Sequence, residues 1–488
     1  MTLPLAIILG WLVLTTAVGI LAGVRRVFSM EEYFVGGRSL GALLFYTIMA
    51  AEIYSAFAFL GLAGWAYAKG MSIVYGLAYG SIAYGLFFFL GPRLNRLGRR
   101  AGYVTQPDFF EDRYGSRALG VVVAIVGVVF IVPYLQLQLM GAGMIVQIAS
   151  GGAMRWEWAV VVSAAAIVSF VYVSGLRGIS WTNLMQAVIM LAGMVGVGFI
   201  FPRRFFGGVD AVFETLERVR PAHLALPDSA GLGISWYAST ALLCGLAMWL
   251  WPHAFSACYS AKSERVVRRN AGILPLYQLA LVPVILVGFT CAAKAAVDPS
   301  FAAAIDEPDH AMLVALVGHF PRWVSGLIGA GGLAASVSTA SALILTASNL
   351  VARNLVQKAG RMDDRRAARL SRALVPAVAA VAIAVVFAAP DMLVSLLLMG
   401  YSGIGQLLPG VILGLFSRWP TGRGVLAGIA AGLGVVVACH AAGSRLPAGL
   451  HPGFLGLVVN VVVVLAVSRV TAPVGRERLE RFEKMLAE

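Results

Sequence analysis

Long apolar runs recur along the chain, separated by short connections that hold most of its charge. Runs of spanning length fall at about residues 4–24, 41–68, 72–92, 119–150, 157–174, 181–201, 234–258, 270–296, 321–352, 371–389, 391–416, 422–441 and 452–470. About 20 apolar residues in a helix cross a ~30 Å hydrocarbon core. The pattern therefore predicts an all-α polytopic membrane protein of about thirteen transmembrane helices, with the shortest division around Pro390.

One run departs from the rest. Residues 331–354, GGLAASVSTASALILTASNLVARN, are dense in small and hydroxyl side chains rather than Leu, Ile and Phe. Ala335, Ser338 and Thr339 stand at i, i+3 and i+4 and share one helical face. That face offers a carbonyl and two hydroxyls, hard oxygen ligands of the kind a small cation accepts. Gly331, Ala335 and Thr339 equally form a small-xxx-small ladder for close helix packing, and buried hydroxyls often bond the carbonyl one turn back. Both readings stand on the residues alone.

Other polar residues fall inside spans. Glu52 lies in GALLFYTIMAAEIYSAFAFLGLAGWAYAKG, where an ionised side chain costs a few kcal/mol unless it meets water, a partner or an ion. His253 follows Pro252 in LAMWLWPHAFSACYSAKS, and the proline predicts a kink or opening there. Tyr134 and Gln138 share a face while Gln136 points elsewhere. Tyr401, Ser402 and Gln406 form a polar patch beside Gly403, Gly405 and Pro409. Each of these groups serves a transport site or an interhelical hydrogen bond; broken helices near the bilayer centre are how many transporters build sites.

Composition agrees with the pattern. Of 488 residues 60% are hydrophobic and 12% charged, with a mean hydropathy of +0.85, against about 25% charged in soluble domains. The net charge of +14 suggests nucleic acid in a soluble chain, but topology accounts for it here. Loops at 25–40, 93–118, 175–180, 259–269, 353–372 and 417–423 plus the C-terminal tail, counted from Arg469 at the end of the last span, carry 28 of the 37 Lys and Arg. By the positive-inside rule they lie in the cytoplasm, so the N-terminus is expected outside and the C-terminus inside. Residues 1–24 carry no positive charge ahead of the apolar run and are expected to be a retained span. Cys244, Cys258, Cys291 and Cys439 show neither metal-ligand spacing nor a disulfide framework. No P-loop lysine motif, HExxH, CxxC pair or GxSxG elbow is present, so neither ATP-driven transport nor an enzyme is expected, and no nucleic-acid partner. A channel lacks its rings and pore-loop signatures.

The chain resembles the sodium:solute symporter family in EEYFVGGRSLG (31–41), FLGLAGWAYAKG (59–70), GYVTQPDFFEDRYGSR (102–117), YVSGLRGISWTNLMQ (172–186), AASVSTASALILTASNL (334–350) and GLFSRWPTGRGVLAGIAAGLG (414–434). The resemblance implies a LeuT-type core of two inverted five-helix repeats, 41–201 and 234–416, joined by an outer loop at 202–233. It implies an extra N-terminal span and loop at 1–40, and two C-terminal spans and a tail at 417–488. It implies a sodium ion held by the carbonyls of Ala51, Tyr54 and Ala335 and the hydroxyls of Ser338 and Thr339. Asn183 stands where the family usually has an acid that helps the ion leave, while Glu52 is a second coupling candidate, so proton coupling stays open.

EIYSAFAFLGLAGWAYAKG, VPYLQLQL, PHAFSACYSAKSERVVRRNAGILP and GIGQLLPG look most like the bacterial monocarboxylate transporters. That implies a small organic anion or zwitterion such as lactate, pyruvate, propionate or alanine, moved by alternating access in a bacterial cytoplasmic (inner) membrane. Substrate is expected near Ser55, Phe57, Tyr134, Gln138, Trp251, His253 and Gln406. A proton-coupled or uncoupled carrier of another small solute and a membrane-embedded sensor are the alternatives.

Overall fold

The computed structural model describes residues 1–23, 29–51, 53–360, 362–442 and 449–487. In order they form α1 (Leu3–Gly23), α2 (Ala42–Ala51), α3 (Leu62–Lys69), α4 (Tyr75–Ala101), α5 (Gln106–Tyr114), α6 (Arg117–Ala149) and α7 (Trp156–Phe206). Then come α8 (Ile234–Ala247), α9 (Pro252–Ala257), α10 (Glu264–Gln278), α11 (Leu281–Val297), α12 (Ala311–His319) and α13 (Arg322–Asn349). The last are α14 (Asp364–Ala388), α15 (Leu393–Ile404), α16 (Leu408–Phe416), α17 (Gly422–Ala441), α18 (Pro452–Val470) and α19 (Arg476–Ala487). Among the described residues the sole β pairing is an isolated bridge, Leu40 with Ala261, which ties the start of α2 to the loop after α9.

Among the described residues ten helices are long and apolar enough to cross a bilayer, or eleven when the bent pair Ile234–Leu250 and Pro252–Ser260 counts as one. The expected thirteen therefore do not emerge as thirteen separate helices. Two of the ten, Phe57–Ala101 and Trp156–Phe206, run for 45 and 51 residues, far beyond the ~20 that one crossing needs. The second breaks inside at Gly175, whose φ of 55° and ψ of −143° are not helical. A Cβ there would lie 2.4 Å from the Tyr33 carbonyl oxygen, so only glycine fits the bend.

The lipid-facing surface carries Leu14, Phe89, Val129, Val188, Phe199, Val437 and Val462, all exposed, as a hydrocarbon solvent permits. The centre is α13. Every residue from Ile328 to Leu350 is buried, because Gly, Ala and Ser let α1, α6 and α7 approach it closely.

The face that holds α5 and α19 is charged and heavily cross-linked. Thr105 and Asp108 form a capping box at the start of α5. Asp108 is buried and accepts from Val104 N (2.8 Å), Arg353 Nε (3.1 Å) and Lys358 Nζ (2.6 Å). Burial pushes its carboxyl up, but Arg353 and Lys358 outweigh that and hold it below the ordinary carboxylate range. The C-terminal α19 docks beside it: Phe482 is buried against Phe109, and Arg478 donates to the Asp112 carbonyl at 3.0 Å.

Candidate ion and solute site

Two helix breaks meet beside α13. The first follows Ala51, where α2 ends. Ile53 N and Tyr54 N both donate to the Ala50 carbonyl, at 3.0 and 3.1 Å. Residues 53–55 are non-helical, and a wide π-type turn at Phe57–Gly61 leads into α3. The Ala56 N–H donates not along its own chain but to Gln138 Oε1 on α6, at 2.9 Å. The second break is at Trp251. It precedes a proline, which disfavours the helical region for the residue before it, and Trp251 takes φ −53° and ψ 128°. The chain bends by 42° there.

Four of the five oxygens expected to hold a cation, all but the Tyr54 carbonyl, come together across the first break. Thr339 Oγ1 donates to the Ala51 carbonyl at 2.8 Å and lies 3.4 Å from the Ala335 carbonyl. Ser338 Oγ donates to the Ala335 carbonyl at 2.9 Å. Tyr54 turns its ring away onto Tyr277, with centroids 3.9 Å apart and its hydroxyl donating to the Tyr277 carbonyl. All five residues are buried. Neutral carbonyls and hydroxyls facing a half-helix C-terminus suit a monovalent cation. Among the described residues no group of three or more His, Cys, Asp or Glu gathers as for a metal ion.

The solute candidates divide. Gln138 bonds the residue after Ser55 at the first break, and the Ser55 hydroxyl and Gln138 Nε2 find no partner among the described residues. Tyr134, Trp251 and His253 form one cluster, with ring centroids 4.8 Å apart for Tyr134–Trp251 and 6.0 Å for each pair with His253. Phe57 is buried in the wide turn itself. A cavity of about 20 Å³ touches His253, Ser256, Ala342 and Thr346, room for about one water.

Gln406 lies elsewhere. Its Nε2 donates to the carbonyls of Ser402 (2.9 Å) and Gly453 (3.1 Å), while Asn460 Nδ2 donates to its main-chain carbonyl at 2.7 Å. It knits the α15–α16 junction to α18. Asn183 is buried on α7, which packs along α2 and α13, and neither atom of its amide has a partner among the described residues. Glu52 lies outside the described residues. Two residues not expected near the solute adjoin the Tyr134–Trp251–His253 cluster: Tyr401 packs on Trp251 with centroids 5.4 Å apart, and Tyr79 packs on Tyr401 at 6.2 Å. The signal was Gly400 beside Tyr401. A Cβ at Gly400 would stand 2.5 Å from the Trp251 ring, so the glycine admits that ring against α15.

With this geometry in view, comparison with known proteins places the chain. The sodium:solute symporter family profile matches residues 33–432, so the chain belongs to that family: it is a transporter and not an enzyme, and sodium is the ion its family couples to solute movement. It is 36% identical over 483 residues to the uncharacterized symporter YhjB of Bacillus subtilis (strain 168), covering 96% of this chain and 98% of that one. It is 25% identical over 486 residues to a monocarboxylate transport permease protein of Rhizobium johnstonii, covering 95% and 96%. Its fold matches the substrate-bound outward-open structure of a Na+-coupled sialic acid symporter with a TM-score of 0.83 at 16% identity, over 97% of this chain and 98% of the other.

Proposed function

We propose that the protein is a sodium-coupled symporter that carries a short monocarboxylate, such as lactate, pyruvate, propionate or alanine, across a bacterial cytoplasmic membrane by alternating access. The observation that carries this reading is the contact of Thr339 Oγ1 on α13 with the Ala51 carbonyl at the end of α2. An ion held by Ala51, Tyr54, Ala335, Ser338 and Thr339 bridges the two bodies that must move against each other. The solute's carboxylate is received next to it by the Ser55 hydroxyl, Gln138 Nε2 and the His253 ring, with Trp251, Tyr134 and Phe57 closing on its apolar part. The resemblance to the Rhizobium monocarboxylate permease supports this substrate class. In this reading Gln406 braces the C-terminal helices and leaves the solute set.

The breaks after Ala51 and at Trp251 occupy matching places in two halves, 41–201 and 234–416, which we read as inverted repeats. Counting Phe57–Ala101 and Trp156–Phe206 as two crossings each raises the eleven spans to thirteen, with the N-terminus outside and the basic face in the cytoplasm. Asn183 and Glu52 are then the residues to examine for how the ion leaves.

Uptake into proteoliposomes tests the whole reading. A panel of short carboxylates and amino acids is offered with and without an inward sodium gradient. A monocarboxylate is expected to accumulate above equilibrium only with sodium. Uptake indifferent to sodium but abolished by a protonophore would sink the sodium assignment, and preference for a neutral or cationic solute would sink the carboxylate.

A further inference from the structure

At the edge of the charged face, the ends of α4 and α10 enclose a cleft of about 370 Å³ that adjoins a second of about 520 Å³; Arg96, Glu264 and Arg268 line both. The one acid present is already engaged: Glu264 takes a bidentate pair from Arg96, at 2.6 and 2.7 Å. Arg93, Arg265, Arg268 and Arg269 line the clefts as well, and among the described residues no carboxylate pairs with any of the four. Arg93 is held in place by the Phe89 carbonyl (2.9 Å) and the Phe416 ring, and Arg268 lies over the Phe88 ring at 5.9 Å. Phe88 and Phe89 form the apolar wall and are 41% and 60% exposed on a helix whose outer surface faces lipid.

We propose that this cleft is a binding site for an anionic phospholipid of the adjoining leaflet, its phosphate held by Arg265, Arg268 and Arg269 and its acyl chains lying along Phe88 and Phe89. Four uncompensated guanidinium groups around a concavity call for phosphate, the anion that arginine forks match best. The exposed rings say which phosphate: a soluble anion has no use for an apolar wall open to the hydrocarbon, whereas a diacyl lipid needs one. Basic pockets between spans at this level are where such headgroups bind. Because Arg96 also donates to the Leu486 carbonyl of α19, and Leu486 lines the cleft, a lipid seated here braces the C-terminal helix against α4.

The test titrates phosphatidylglycerol, phosphatidylcholine and inorganic phosphate separately into the purified full-length protein in neutral detergent, with bound lipid counted by native mass spectrometry. Phosphatidylglycerol is expected to bind and phosphatidylcholine not. The exposed-residue variant R265Q/R268Q/R269Q is expected to weaken phosphatidylglycerol about 100-fold, and Arg268→Gln alone about fivefold. The variant R365Q/R366Q/R369Q, which removes the same charge from α14 on the same face, is expected to bind as wild type does. Equal weakening in both triple variants overturns the proposal, as does phosphatidylcholine binding equally well. Inorganic phosphate binding as tightly as phosphatidylglycerol, and losing its binding in the same variants, overturns the lipid assignment in favour of a soluble anion.

Discussion

Ser338 and Thr339 differ in where their hydroxyls are spent. Ser338 Oγ donates within its own helix, to the Ala335 carbonyl, whereas Thr339 Oγ1 donates across to Ala51 on α2. Thr339 is thus the side chain through which α13 feels α2, and a cation there replaces an O–H···O contact by ion–oxygen contacts to the same groups. Contacts to a charged group are worth about 1.5–3 kcal/mol, which is about 10–100-fold in affinity. Thr339→Ala is therefore expected to raise the sodium concentration for half-maximal uptake by about 10–100-fold, while Thr339→Ser, which keeps the oxygen, stays near wild type. Unchanged sodium dependence in the alanine variant would remove Thr339 from the ion set. The hydroxyl face was legible from spacing alone, because i, i+3 and i+4 fix a face whatever the neighbours are. Gln406 was not. A glutamine in a membrane helix can serve a solute or a neighbouring helix equally well, and only the packing of α18, with Asn460 opposite, shows which groups its amide meets.

At the scale of elements, the two breaks were unequally visible. Pro252 announces the one at Trp251 through its missing N–H and its restriction of the preceding residue. Nothing comparable marks the one after Ala51: no proline or glycine lies between Gly41 and Gly61. That helix opens because Gln138, far away in sequence, accepts the Ala56 N–H, and this partner only folding reveals. A third junction ties these elements together. Asp309, on the short turn before α12, is buried; its Oδ2 accepts from Leu393 N at the start of α15 (2.9 Å) and its Oδ1 lies against Gly64 of α3.

Burial, with lesser help from Glu307 and Asp391 and against the Leu393 N–H, raises the Asp309 carboxyl from 3.8 to about 7. His310, the neighbouring titratable group on the same turn, is itself pushed down by burial. With its pKa raised in the folded state, Asp309 gives its full stabilisation below about pH 4 and loses it as pH rises through about 7. The melting temperature of the wild type relative to that of Asp309→Asn is therefore expected to fall between pH 5 and pH 8. Asp309→Asn retains an acceptor for Leu393 N and carries no charge, so its melting temperature is expected to change less over that window. Parallel pH profiles for the two proteins would show that Asp309 does not titrate there.

Across the whole molecule, the ion and solute candidates converge on the same opened stretch of backbone. Ala51 and Tyr54 belong to the proposed cation set, Ser55 to the proposed solute set, and Gln138 pins the next residue to α6. A ligand in either place therefore favours the arrangement that keeps the opened α2–α3 stretch against α13 and α6. Two ligands that favour one conformation must raise each other's affinity by the same factor, about 5–150-fold for ordinary coupling energies. The expected outcome is that saturating sodium tightens carboxylate binding by a factor equal to that by which saturating carboxylate tightens sodium binding. Calorimetric titration of each ligand with and without the other measures both factors in one detergent-solubilised sample. Thr339→Ala should weaken sodium binding and shrink the two factors together, because it cuts the link between α13 and α2 while leaving Ser55, Gln138 and His253 in place. His253→Gln should weaken the carboxylate and leave sodium binding in its absence unchanged. Were sodium to bind equally well with and without the carboxylate, coupling through the opened stretch would be refuted, however tightly each ligand bound.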